Sequence, residues 1–243
     1  MSAIAQLVDR QLKRWELERR AAEEQRTQTS PAPRQSVSVT VSRMRGCRGP
    51  AIVEHLAERL GYQLFDKEII DFIASNRNLH QRVLDMLDET VASGIRLWAE
   101  GIVAGRHVDR RDFVRFLSGT VRAIYEHGNA VIIGRGANCI LAGRVVFRVQ
   151  LTAPLDARVE QIMREDNLTE EQARDEVRRA DEQREAFIRD SFGADWHDPA
   201  LHDLTINVES LRAESVAEII ENCMRRFAVE RWPDAVVGRR QRQ

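Results

Sequence analysis

Residues Ser36–Asp66 read SVSVTVSRMRGCRGPAIVEHLAERLGYQLFD, and this stretch decides the fold. Val37, Val39 and Val41 alternate as strand residues do, and a turn containing Gly46 and Gly49 follows. An amphipathic helix then begins, with Ile52, Val53, Leu56 and Leu60 on its apolar side. A strand, a glycine turn and a helix start in succession point backbone N–H groups at a phosphate. The stretch therefore places a nucleotide-phosphate site at the opening of an α/β domain.

A complete site of this type is the P-loop, G-x-x-x-x-G-K-[ST], whose Lys reaches the β/γ-phosphates and whose Ser/Thr holds Mg²⁺. With the helix LAERLG setting the register, the Lys position falls on Gly49 and the Ser/Thr position on Ala51. Arg43, Arg45 and Arg48 crowd the same turn, and an arginine fork can grip phosphate oxygens in place of a lysine. On this reading Arg48 substitutes for the Lys. A plain strand-to-helix connection carrying solvated arginines fits the same residues.

The wider chain sets bounds. Its 243 residues, 43% apolar, suit one α/β domain with extensions. A net charge of −1 gives no global electrostatic case for a nucleic acid polymer or a membrane surface. Lys13 and Lys67 are the only lysines among 37 basic residues, so arginine is the default phosphate partner. Cys47, Cys139 and Cys223 lack metal spacing and read as free thiols of a cytoplasmic protein. There is no secretory apolar segment, and no apolar run is long enough to span a bilayer.

Four segments are expected: an amphipathic N-terminal helix within 1–28, a linker at 29–36, the main domain at 37–229 and a tail at 230–243. Ile4, Leu7, Val8, Leu12, Trp15 and Leu17 form the stripe of the first helix. It is either an arm, free or packed on the domain surface, or a contact for a partner or a second copy. Pro31 and Pro33 mark the linker. Residues 79–126 read as helical, broken near Gly94, Gly101 and Gly105, with Leu84, Leu87, Val91, Leu97, Val103, Phe113, Leu117, Val121 and Ile124 as core candidates. Strands are expected at Tyr62–Phe65, Ala130–Ile133, Val145–Leu151 and Asp203–Val208, and helices at Pro154–Arg164, Asn167–Phe192 and Glu214–Phe227. This alternation predicts a doubly wound parallel sheet with helices on both faces.

Gly134-Arg135-Gly136 directly follows the strand AVII, which places Arg135 at the carboxyl-end crevice where ligands of open α/β sheets bind. Asp66 also ends a strand, where it can accept from a ligand or cap the helix starting at Lys67. The arginine-dense segment Arg174–Arg189 is either a solvated face or a lid bringing Arg184 and Arg189 over bound phosphates. His80, His107, His127, His197 and His202 show no paired metal spacing; His197 and His202 leave a metal site open only as a minor alternative.

SRMRGCRGPAIVEHLAERLGYQLFDKEII, VIIGRGANCIL, VQLTAPLDARVEQI and ADEQREAFIRDSFGADWHDPALHDLTINVESLRAESV together resemble the cytidylate-kinase-like family of P-loop nucleoside monophosphate kinases, from about Val37 to Phe227. The resemblance implies a P-loop kinase fold, ATP and Mg²⁺ as cofactors, and transfer of the γ-phosphoryl group to CMP or dCMP. It also implies residue roles. The Gly46–Gly49 turn would hold ATP phosphates, Asp66 and Arg135 would face the acceptor, and Arg184 and Arg189 would be lid arginines with Asp181 placing Arg184. The chain departs from the family pattern. Cys47 and Arg48 replace small residues of a GSGG-type turn, Pro50 and Ala51 open the helix, and Ile133 and Gly136 stand where acidic residues flank the Gly-Arg pair. No obvious protein carboxylate or hydroxyl is left to fix Mg²⁺ unless Ser42, Asp66 or a residue outside these motifs does so, and its ligands stay open. A catalytically degenerate nucleotide-binding or regulatory protein, acting through a partner, is the second reading.

Overall fold

The computed structural model describes residues 4–10, 12, 13, 15, 17, 36–75 and 110–231. The expected linker prolines, the helical pieces between 76 and 109 and the tail from 232 lie outside the described residues. The chain forms two compact units: residues up to 36 with 65–129, and 37–64 with 130–243.

The second unit carries the sheet. Its elements are β1 (Val39–Arg43), α1 (Gly49–Leu60), β2 (Gln63–Phe65, whose last residue belongs to the first unit), β3 (Ala130–Ile133), α4 (Ala137–Ile140), β4 (Phe147–Thr152), α5 (Leu155–Asp166), α6 (Glu170–Phe192), β5 (Leu204–Asn207) and α7 (Ala213–Arg231). The strands run in the order β2-β3-β1-β4-β5. β1 pairs in parallel with β3 (Val41 opposite Ile133) and with β4 (Val41 opposite Val149). The chain moves outward from β1 on one side and returns to the other, so β1 lies at the switch point where such sheets bind ligands. The expected α/β fold is what is observed, an all-parallel sheet flanked by helices.

The core explains the run-like strands. Val39, Val41, Val131, Val149 and Leu151 are buried together with Ile52 and Leu56 of α1 and Ile220 of α7. Glu221 is also buried, and Arg59 on α1 and Arg225 on α7 hold its two carboxylate oxygens at 2.7 and 3.0 Å. The α5–α6 hairpin has its own small core of Val159, Ile162, Ala173 and Val177. Thr169 caps α6 in a reciprocal box with Gln172, and Gly193 ends it at φ 63°.

The first unit contains α2 (Lys67–Ser75) and α3 (Arg110–His127), with Leu117, Val121 and Ile124 buried as expected. The N-terminal stripe is covered inside this unit. Val8, Leu12 and Trp15 are buried, and the Trp15 ring lies 5.5 Å from Phe65 and 4.1 Å from His127 between centroids. Leu7 and Leu17 remain exposed. No helix among the described residues is long and apolar enough to cross a membrane.

Candidate active site

The turn after β1 is a glycine turn that leads straight into α1. Gly46 takes φ 86°, and a Cβ there would come within 2.5 Å of the Arg158 carbonyl oxygen, so only glycine lets the turn rest on α5. Arg48 is left-handed (φ 51°) and precedes the first residue of α1. Among the described residues no backbone acceptor is found for the N–H groups of Gly46, Arg48 and Gly49, which lie at the positive end of α1. Pro50 at the first turn has no N–H to give.

Around this loop the hairpin gathers charge. The Arg45 N–H donates to Asp181 Oδ1 at 2.9 Å. Arg158 Nη1 donates to Asp181 Oδ2 at 2.5 Å and Arg184 Nη1 donates to Oδ1 at 3.0 Å. Arg158 is almost wholly buried, and it also donates to the carbonyls of Ala153 and Arg45 at 3.0 and 3.3 Å. Burial pulls the Arg184 guanidinium below the ordinary arginine range, against the opposing pull of Asp181. One carboxylate is thus held by a loop N–H and two guanidinium groups, the donor set a phosphate would also use. Burial pushes the Cys47 thiol in this loop up to about 11, Arg158 opposing it, so the thiol is neutral.

The sequence-level candidates are distributed unevenly. Arg45 extends its guanidinium to Asp166 at 2.5 Å and to Glu176 at 3.6 Å. Arg48 donates to the carbonyls of Val208 and, at 2.8 Å, Leu211, tying the loop to the segment after β5. Arg43 lies between Gly49 and Gly134. Arg135 sits between Gly134 and Gly136 in a left-handed run (φ 83°, 56°, 64°), with its guanidinium 5.9 Å from the centroid of Phe187 on α6. A Cβ on Gly136 would strike Phe192 at 2.4 Å, so α6 packs directly on that turn. Asp181 and Arg184 meet at the loop, whereas Arg189 is 61% exposed and pairs along its own helix with Glu185 and Asp190. Asp66, in the other unit, caps α2: its Oδ1 accepts from the Ile69 N–H at 2.8 Å.

Arg158 is the site residue that sequence reading missed. Its signal was a charged residue on the apolar side of α5, beside Val159 and one turn from Ile162. His197 and His202 do not converge on a common ion. His202 Nε2 is 3.4 Å from Asn138 Nδ2, and His197 is 3.8 Å from Glu185. Burial draws the His202 ring below its usual range.

The loop suits phosphates better than it suits a protein-held metal. Ala51 offers no hydroxyl, and the described residues contain no group of three or more acidic, His or Cys ligands. These residues fit a Mg²⁺ held mainly by phosphate oxygens and water.

This arrangement, a parallel sheet with a glycine turn at its switch point and an arginine-bearing helical hairpin packed on that turn, is a doubly wound α/β fold of the P-loop kinase type. The model of the cytidylate kinase-like family matches residues 38–210, and the chain belongs to that family. The cytidylate kinase of Natronomonas pharaonis is 24% identical over 192 residues, 78% of this chain and 90% of that protein. The cytidylate kinase of Staphylothermus marinus is 31% identical over 104 residues, 42% of this chain and 58% of that protein. An uncharacterized protein from Eubacterium ventriosum has the same fold at a TM-score of 0.61, with 18% identity over 79% of this chain and 99% of that one.

Proposed function

We propose that the protein is a nucleoside monophosphate kinase, moving the γ-phosphoryl group of ATP to CMP or dCMP. The observation that carries this reading is the convergence of Arg158 and Arg184 on Asp181, which itself accepts from a phosphate-loop N–H. In this reading the Gly46–Gly49 turn holds the ATP phosphates through its N–H groups, and the loop arginines neutralise them. Arg184 stabilises charge on the migrating group, and α6 excludes water. Arg135 and Asp66 serve the acceptor, roles supported by family membership. Phosphoryl transfer of this kind needs positioning and charge neutralisation and no covalent intermediate. Mg²⁺ would accompany ATP, and no step is assigned to it here.

The lysine position, Gly49, and the two that follow it, Pro50 and Ala51, carry neither an ammonium nor a hydroxyl and support a second reading, a nucleotide-binding regulator without turnover. A coupled ADP-release assay with Mg²⁺-ATP against a panel of nucleoside monophosphates separates the two. Turnover dependent on one acceptor is expected. No turnover with ATP still raising the melting temperature supports the regulator, and no effect of ATP at all sinks both.

A further inference from the structure

A phenylalanine of α6 stands over the arginine that ends β3. Arg135 Cζ lies 5.9 Å from the centre of the Phe187 ring, within the range where an aromatic face attracts a cation. Phe192 meets that ring edge-on, with centroids 5.8 Å apart and planes at 85°. Phe187 is not a core residue: it and Arg135 are both half-buried, whereas its neighbour Ile188 is buried. Ile188 and Phe192 carry the packing of α6 on the Gly136 backbone, where a Cβ would meet them at 3.1 and 2.4 Å. Arg135 itself takes φ 56°, a left-handed conformation that a residue with a Cβ adopts at a cost. A strained arginine at a strand end and a half-covered ring beside it are features that core packing does not require.

Asp181, Arg184 and Phe187 recur every three residues along one side of α6. Asp181 and Arg184 meet at the turn after β1, and Phe187 meets the turn after β3. From Arg184 to Phe187 the helix rises only about 4.5 Å. α6 therefore holds Arg184 and aims Arg135 from neighbouring positions.

We propose that Phe187 is a positioning residue for the phosphoryl acceptor: it fixes the Arg135 guanidinium for the phosphate of a nucleoside monophosphate. The inference rests on the reading that Arg135 serves that acceptor, and it names the residue that aims it. A ring restrains a guanidinium without consuming its N–H donors, whereas a carboxylate would take them up. Restraint before binding lowers the ordering cost that the ligand must meet.

Calorimetric titration of the full chain with CMP, UMP, AMP and GMP finds the monophosphate that binds, with ATP as the reference ligand. The variants are Phe187→Leu, Phe187→Tyr and Arg135→Met, each with its melting curve. Phe187→Leu is expected to weaken the monophosphate at least fivefold and ATP less than twofold. Phe187→Tyr, which keeps the ring, should recover binding to within twofold, and Arg135→Met should lose at least as much as Phe187→Leu. A smaller loss in Phe187→Leu, an equal loss for ATP, or a milder defect in Arg135→Met overturns the proposal. If Phe187→Leu does not fold, Phe187→Met is read by the same limits, and failure of both to fold makes Phe187 a structural residue and overturns it. Wild-type protein that binds none of the four monophosphates removes the acceptor reading and this inference together, whereas binding that Phe187→Leu leaves unchanged removes the inference alone.

Discussion

The backbone N–H of Arg45 and the side chain of Asp181, 136 residues apart in sequence, meet at 2.9 Å. The turn after β1 is thereby fastened to the α5–α6 hairpin. The same carboxylate pairs with both Arg158 and Arg184, so its loss leaves two largely buried guanidinium groups without their shared counter-charge. Asp181→Ala should lower stability by about 2–3 kcal/mol, the scale of a hydrogen-bonded charge partner. Added tripolyphosphate should restore more of the melting temperature in this variant than it adds to wild type, because an anion can take the vacated seat. Equal anion-induced shifts in the two proteins would show that the seat is not a phosphate position.

Gly46 tests the loop itself. Its φ of 86° and the 2.5 Å approach of a Cβ to the Arg158 carbonyl leave an alanine no place. Gly46→Ala should destabilise by at least about 2 kcal/mol in urea unfolding, since strain and a backbone clash add. A change under about 0.5 kcal/mol, the range of an inert surface site, would mean that the turn is more adaptable than its geometry implies.

Trp15 tests what the N-terminal helix is for. It packs on Phe65 and His127 within its own unit and is 2% exposed. Trp15→Ala should cost about 3 kcal/mol as a large core deletion and leave the sedimentation coefficient unchanged. If the substitution instead dissociated a dimer and left the unfolding free energy of the monomer unaltered, the stripe would be an interface.

Cys47 gives a pH test. Its thiol is held protonated in the fold up to about 11, against an ordinary value of 9.0. Between those values the unfolded chain has lost the proton and the folded chain has kept it, so stability falls as the pH rises through that window. Cys47→Ser should flatten the fall. The buried native thiol should also resist alkylation at pH 8 until the protein unfolds.

Much of this fold was legible because periodicity carries burial. The continuous run AVII became β3 and the alternating valines became β1, each near its expected place. The strand expected at Val145–Leu151 begins instead at Phe147, after a turn that Leu141 and Arg144 close by hydrogen bonding. Part of the site was legible too: the left-handed Gly46 turn, and Asp181 beside Arg184 one helical turn away. What sequence spacing could not give was the direction of each arginine. Arg43, Arg45 and Arg48 are equivalent in composition, yet they end against a glycine backbone, a carboxylate pair and two carbonyls respectively. Direction depends on partners 90 or more residues distant, and so does the reach of Arg158 back to the loop.

The seating of Arg43 against Gly49 also constrains the order in which this loop can change. A Cβ at position 49 would lie 3.0 Å from Arg43 Cγ, so a lysine there requires the Arg43 stem to shift by a few tenths of an ångström. The two positions are therefore epistatic. Gly49→Lys should be tolerated better when Arg43 is shortened alongside it than when the arginine stays.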